Sequence, residues 1–138
     1  MIPDTGRVLG LDWGTRRIGI AISDETQLVA SPLDTLVRRT GRRLPLQHFL
    51  GIIEREHPVG LVVGVPLGDD GLEGESAIAA REMGRSLAAR SKLPIDWIDE
   101  SFTTTETIKA IGESGGDRDS VDARAAARIL QQWLDRKR

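Results

Sequence analysis

The sequence has no cysteine, no long apolar run and no strong excess of either charge. Without cysteine the chain can form no disulfide, no thiolate zinc site and no cysteine nucleophile. No segment approaches the roughly 18 apolar residues typical of a transmembrane helix, and the N-terminus lacks the basic and apolar segments of a signal peptide. We therefore expect a cytoplasmic protein that does not bind membranes.

A net charge of -2 also argues against a protein that coats nucleic acid by charge alone, although it leaves local basic patches open. Arginine supplies 16 of the 19 basic residues. Its planar guanidinium suits phosphate recognition, but genomic base composition explains the bias equally well. His48 and His57 have no sequence neighbour at ligand or triad spacing, so we interpret both as structural or solvent-facing.

The 138 residues contain no linker or repeat, which predicts a single domain spanning residues 1–138. The apolar pattern predicts the order strand, strand, strand, helix, strand, helix, strand, helix, helix. We expect an α/β fold whose mixed five-stranded sheet is an antiparallel meander of strands 1–3 extended by parallel strands 4–5, flanked by helices. Pro32 favours an edge position for strand 3 or a position at the start of that strand. Apolar residues at helical spacing predict that the first helix packs on the core through Leu46, Phe49, Leu50 and Ile53.

Three carboxylates stand out against this pattern. Asp12 interrupts the first buried strand, Glu100 ends the fifth strand, and Asp122 lies on the same helical face as the apolar residues that follow it. Side chains alternate along a strand, so only one of Asp99 and Glu100 can face a given site. If the first strand lies between the second and fourth strands, the three carboxylates can meet at one rim. Converging carboxylates repel unless a cation joins them, and Mg²⁺ or Mn²⁺ prefers oxygen ligands.

Basic and hydroxyl side chains near this rim are candidates for binding nucleic acid. Arg16 and Arg17 follow Asp12 in the first turn, and Thr103 and Thr104 follow Glu100, where helix capping is an equal alternative. Four more arginines surround a glycine after strand 3, where a solvated loop is the alternative to a phosphate contact; they are Arg38, Arg39, Arg42 and Arg43.

Four blocks resemble the YqgF/RuvX-type resolvase family, which has an RNase H-like fold. The first is Gly10-Leu11-Asp12-Trp13-Gly14 with Arg17-Ile18-Gly19-Ile20-Ala21-Ile22-Ser23-Asp24. The others are Val63-Gly64-Val65-Pro66 with Asp70-Gly71 and Gly74-Glu75; Asp99-Glu100 with Thr103-Thr104; and Val121-Asp122-Ala123 with Ala125-Ala126 and Ile129-Leu130-Gln131. They occur in the family's order and cover nearly the whole chain.

The resemblance implies that Asp12, Glu100 and Asp122 are the family's acidic metal-binding positions, holding Mg²⁺ or Mn²⁺, with two ions expected. It implies a nuclease that processes the 5′ end of precursor 16S ribosomal RNA or cuts four-way DNA junctions. The partner would be structured or single-stranded RNA, or branched DNA, and the protein a monomer or homodimer. The family usually has an arginine after its Asp-Glu pair, whereas this chain has Ser101.

Two other interpretations remain open. The Asp12-Trp13-Gly14-Thr15 segment is similar to the phosphate loop of the sugar kinase, actin and Hsp70 ATPase group, but those proteins enclose ATP between two such domains. A non-catalytic protein that binds RNA or a ribosome-assembly partner is the other alternative, because fold alone does not determine function.

Overall fold

The computed structural model describes residues 1–38, 44–68, 70–100 and 118–137. The strands are β1 (Val8–Asp12), β2 (Arg17–Ser23), β3 (Ala30–Val37), β4 (Gly60–Pro66) and β5 (Ile95–Glu100). The helices among these residues are α1 (Leu46–Glu56), α2 (Glu75–Ser91) and α3 (Arg118–Arg136). Of the sequence-based predictions, those for Arg39, Arg42 and Arg43, for Ser101, and for the helix beginning at Thr103 and Thr104 lie outside the described residues.

The five strands form one sheet in the order β3-β2-β1-β4-β5. β1 pairs antiparallel with β2 and parallel with β4, β2 pairs antiparallel with β3, and β4 pairs parallel with β5. The predicted mixed sheet is confirmed, and β1 lies at its centre. β3 is an edge strand, as the proline at position 32 predicts, since proline cannot donate to a further strand.

One face of the sheet packs against α1 and α2 through large apolar side chains. The fully buried side chains of this core include Leu9, Leu11, Ile20, Phe49, Ile52 and Leu61. The predicted stripe of α1 is right at Phe49, which is fully buried, and at Leu46 and Ile53, which pack partly buried against this core. It is wrong at Leu50, which is 38% exposed, and Ile52 is buried instead. α1 ends at His57, whose left-handed backbone lets its N–H donate to the carbonyl of Ile53.

Among the described helices, only α3 packs against the other face of the sheet, and this interface contains several small residues. Ala126, Ala127, Ile129 and Leu130 of the helix pack on strand residues such as Val8, Val62 and Ile98. The strands present Gly10, Gly19 and Gly64 beneath the same helix. Because small residues occupy both sides of this interface, the backbone of α3 lies close to the sheet.

The loop between β2 and β3 is tied to α3 and stabilised by its own carboxylate. Gln131 of α3 accepts a hydrogen bond from the backbone N–H of Ala30 (2.8 Å) and donates to the carbonyl of Leu28 (3.0 Å). Asp24 accepts from the hydroxyl of Thr26 and from the N–H groups of Leu28 and Val29. Two residues of the sequence blocks, Asp24 and Gln131, therefore have a structural role.

We expect Asp24→Ala to lower the melting temperature at neutral pH by a few degrees. The hydrogen bond from Thr26 and those from the Val29 and Leu28 N–H groups lower the pKa of Asp24 to about 2. Since this lies below the value of about 3.9 in an unfolded chain, the stabilisation is present above that pH and is lost as pH falls towards 2. Thermal unfolding at a series of pH values measures this: the difference from the parent protein should shrink below about pH 4. Glu25→Ala is the control, and an Asp24→Ala deficit that persists unchanged at pH 2 would contradict the assignment.

None of the helices in the described ranges is both long enough and apolar enough to span a bilayer.

Candidate active site

Asp12 is the last residue of the central strand, and its neighbour on each adjacent strand is a glycine. In the strand register it lies opposite Gly19 of β2 and Gly64 of β4. Alternation along β1 places Asp12 on the same face as Val8 and Gly10, which is the face covered by α3. The partly buried carboxylate therefore lies under the first described turns of α3, between two residues without side chains.

Gly19 brings Asp122 of α3 next to Asp12. A Cβ atom added to Gly19 would lie 1.9 Å from the backbone carbonyl oxygen of Asp122, a separation that no real contact allows. The helix thus rests directly on the backbone of β2 at this point. The charge of the Asp122 carboxylate acts on Asp12, which agrees with the predicted placement of Asp122 on the sheet-facing side of the helix.

Gly64 makes room for the second carboxylate, Glu100. A Cβ atom at Gly64 would lie 3.2 Å from Oε2 of Glu100, so the side chain of Glu100 reaches over β4 towards Asp12. Glu100 has the same orientation along β5 as Ile98, which packs under α3. Asp99 points to the opposite face, where its charge acts on Arg81 of α2. Of the adjacent pair, only Glu100 faces the candidate site; strand alternation predicts that one of the two does so but does not say which.

The electrostatics show that the three carboxylates interact. The pKa of Asp12 is raised well above its usual range, first by burial, then by the negative charges of Glu100 and Asp122, and also by a hydrogen bond with Glu100. A hydrogen bond that raises the pKa of an acid stabilises its protonated form. In the absence of a cation, the hydrogen bond with Glu100 therefore favours the protonated form of Asp12.

The donor set at this rim consists of carboxylate oxygens, which Mg²⁺ and Mn²⁺ prefer. Among the described residues, no group of three or more His, Cys, Asp or Glu side chains is already arranged to hold a metal ion. The fit is thus one of chemistry: the repulsion that raises the pKa of Asp12 is the repulsion a divalent cation would relieve. Asp12 is the common neighbour of the two other carboxylates.

Arg17 is the basic residue that the structure places beside this cluster. Its Nε lies 4.0 Å from Oδ2 of Asp122, and both side chains are about one-third exposed. Arg16 is exposed, and its backbone carbonyl accepts a hydrogen bond from the N–H of Arg38 (2.8 Å). Of the two arginines predicted to face phosphate, Arg17 is therefore at the carboxylates, whereas Arg16 projects into solvent.

Arg38 supports the turn that follows Asp12. Its guanidinium lies 5.9 Å from the ring centre of Trp13, and its Nη1 donates to the carbonyl of Gly14 (3.2 Å). Trp13 itself packs against the core between the sheet and the α1–α2 layer. These contacts connect β3 to the turn between Asp12 and Arg17. Sequence analysis grouped Arg38 with the loop arginines as a candidate phosphate contact and missed this role, because no local pattern reveals a contact across 24 residues.

We expect Arg38→Ala to reduce stability by about 1–2 kcal/mol, because it removes a cation–π contact and a partly buried hydrogen bond together. Urea unfolding monitored by circular dichroism measures this change. Arg16→Ala is the matched control, since the exposed Arg16 side chain should contribute less than about 0.5 kcal/mol. Equal losses in the two variants would show that Arg38 does not support the turn.

Gly19 and Gly64 are site-forming residues that sequence analysis did not single out, although both occur in the quoted blocks. The available signal was a glycine inside each strand next to the predicted position of β1, which indicates close backbone approach.

His48 and His57 do not join the site. His48 pairs with Asp34 at 2.7 Å, and His57 lies at the other end of β1, in a cleft with Gly6 and Arg7.

The sequence of the chain is similar to those of known proteins. A family model described as "RuvX: Holliday junction resolvase" matches residues 6–136. A protein of Paracoccus denitrificans named "Putative pre-16S rRNA nuclease" is 42% identical over 99% of this chain and 89% of its own length. A protein of the same name from Gloeobacter violaceus is 40% identical over 95% of this chain and 85% of its own.

Among solved structures, RuvC of T. thermophilus in complex with a Holliday junction substrate superimposes with a TM-score of 0.56 at 17% identity, covering 96% of this chain and 95% of that one. This likeness shows that the fold is RNase H-like. With a matching family model and relatives at about 40% identity over nearly their whole length, the chain belongs to the RuvX family.

Proposed function

We propose that the protein is a divalent-metal-dependent nuclease that acts on the 5′ end of precursor 16S ribosomal RNA. The observation that carries this proposal is the position of Asp12 between Gly19 and Gly64, in electrostatic contact with both Glu100 and Asp122. The names of the two relatives support the substrate. The cytoplasm is the compartment that fits this substrate.

Asp12, Glu100 and Asp122 would hold Mg²⁺ or Mn²⁺, with two ions expected. When bound, such ions activate a water for attack on phosphorus and stabilise the leaving oxygen. Arg17, beside Asp122, is placed to bind a phosphate oxygen of the substrate through its guanidinium. The turn held by Arg38 keeps Arg17 in register with the carboxylates.

The histidines support this mechanism by their positions. His48 pairs with Asp34 of the edge strand, and His57 is separated from Asp12 by the length of β1. Five strand residues correspond to about 17 Å. A histidine general base at the carboxylates is therefore absent from the part of the chain that the structure describes, and catalysis through carboxylates needs none.

Cleavage of four-way DNA junctions is the second candidate. It is favoured by the description of the matching family and by the likeness in fold to RuvC. A resolvase must present two active sites to opposed strands, which requires a two-fold dimer, whereas an RNA-processing nuclease can act as a monomer. Sedimentation of the protein with each substrate therefore separates the two candidates independently of activity.

The direct experiment offers labelled precursor 16S RNA with its 5′ leader, an unstructured RNA and a four-way DNA junction, with Mg²⁺ and then Mn²⁺. We expect cleavage of the leader RNA that EDTA abolishes. Preferential cleavage of the junction would support the second candidate. Binding of RNA without cleavage of any substrate under either metal would refute both and support the non-catalytic alternative.

A further inference from the structure

The outer face of α3 carries two arginines near the candidate site. Arg124 and Arg128 are exposed, while their neighbours Ala123, Ala125 and Ala126 are buried against the sheet. Arg124 follows Asp122 by two residues, so the helix that contributes a carboxylate inward presents a guanidinium outward. The two arginines are one helical turn apart, with a rise of about 6 Å between them.

Helix stability does not explain this placement. Like charges four residues apart on a helix repel each other. Arg124 lies in the N-terminal half of α3 and Arg128 just past its middle, so neither is in the C-terminal turn where the helix dipole favours cations. Neither forms an ion pair or hydrogen bond with any residue in the described parts of the chain. Two cations placed at an electrostatic cost, with no acidic partner there, indicate an external anionic partner.

Arg136 provides the internal comparison. It lies in the last turn of the same helix, where the dipole favours a cation, and Asp135 beside it supplies a negative charge on this part of the outer face. Twelve residues, about 18 Å of helix, separate it from Arg124. Arg136 thus has an acidic neighbour on the outer face of the helix, whereas no acidic residue lies three or four positions along the helix from Arg124 or Arg128.

We propose that Arg124 and Arg128 bind two phosphates of the substrate strand as it passes from the carboxylates over the first turns of α3. This inference rests on the proposed nuclease function and adds the path of the substrate. Arginine suits the role because its guanidinium bonds phosphate oxygens in a bidentate manner. The contacts are with the backbone, so they hold the strand without reading its sequence.

The test measures binding apart from cleavage. Fluorescence anisotropy with labelled single-stranded leader RNA is recorded in the Asp12→Asn background at several salt concentrations. Affinity falls as salt rises, and each lost phosphate contact makes the slope of log affinity against log salt less steep by about 0.7 for single strands. For the Arg124→Gln/Arg128→Gln double variant we expect a slope smaller by about 1.4 and binding about tenfold weaker at 150 mM salt. Arg136→Gln is the matched control and should leave both quantities unchanged; circular dichroism checks that all variants are folded.

Unchanged affinity and slope in the double variant would overturn the inference, as would an equal loss in Arg136→Gln, which would indicate unspecific attraction. Failure of the proposed function gives a different result. A protein that binds RNA through both arginines but cuts no substrate keeps the binding surface and loses the nuclease assignment. A protein that cuts RNA with an unaffected double variant keeps the nuclease assignment and loses this surface.

Discussion

Gly19→Ala should destabilise the protein by about 3 kcal/mol and abolish the candidate site at the same time. The added methyl group would lie 1.9 Å from the carbonyl oxygen of Asp122, and the obstacle is helix backbone rather than a side chain that can rotate away. The helix must therefore move off β2. Because α3 carries Asp122, this movement separates the carboxylates as well as opening the interface.

Chemical unfolding and RNA cleavage measure the two consequences. Gly51→Ala is the matched control: its added Cβ meets nothing within 4 Å and lies inside α1, where alanine should stabilise by about 0.5–1 kcal/mol over glycine. The same substitution is thus expected to have opposite signs at the two positions. A Gly19→Ala protein as stable and active as the parent would show that α3 does not rest on β2 at the site.

Asp12→Asn should lower cleavage about a thousandfold or more while making the metal-free protein more stable at neutral pH. The variant would lose the proposed metal ligand between Glu100 and Asp122 and, with it, several kcal/mol of metal-assisted stabilisation of the transition state. The same carboxylate is destabilising in the metal-free fold because burial and two like charges oppose its ionisation. A gain of about 1 kcal/mol is usual when such a functional residue is neutralised.

The stability difference between Asp12→Asn and the parent protein should depend on pH. The pKa of Asp12 is raised in the folded chain, so the folded state holds its proton to a higher pH than the unfolded chain does. Stability is consequently lost as pH rises through the folded pKa, and the advantage of Asp12→Asn should disappear below about pH 4. Thermal unfolding in EDTA from pH 3 to 8 measures it. A variant less stable than the parent at neutral pH in EDTA would contradict the electrostatic account.

Much of the fold follows from periodicity in the sequence. The continuous apolar runs of β1 and β4 predict central strands, Pro32 predicts an edge, and the helical crossover between β1 and β4 predicts their parallel pairing. Strand alternation also predicts that Asp99 and Glu100 lie on opposite faces of the sheet, which the positions of Ile98 and Trp97 on opposite faces confirm. The choice of Glu100 came from the family resemblance.

The closeness of α3 to the sheet does not follow from periodicity. A glycine in a strand pattern indicates a bulge, a bend or a close neighbour, and only the assembled sheet shows that Gly19 and Gly64 flank Asp12. The structural roles of Asp24 and Arg38 could not be predicted from the sequence for a related reason. Asp24 forms its hydrogen bonds within an irregular loop, and Arg38 contacts a turn on a different pair of strands. Charge alone does not distinguish a structural carboxylate or guanidinium from a functional one.

The central claim is that catalysis takes place at the α3 face of the sheet, between Asp12, Glu100 and Asp122. Glu100 and Asp99 are adjacent carboxylates on opposite faces of the same strand, so one measurement tests the claim: cleavage of leader RNA with Mn²⁺ by Glu100→Gln and by Asp99→Asn, with both folds verified. We expect Glu100→Gln to lose about a hundredfold or more in rate and Asp99→Asn to remain within about twofold of the parent. Full activity in Glu100→Gln, or an equal loss in Asp99→Asn, would contradict this account of the active site.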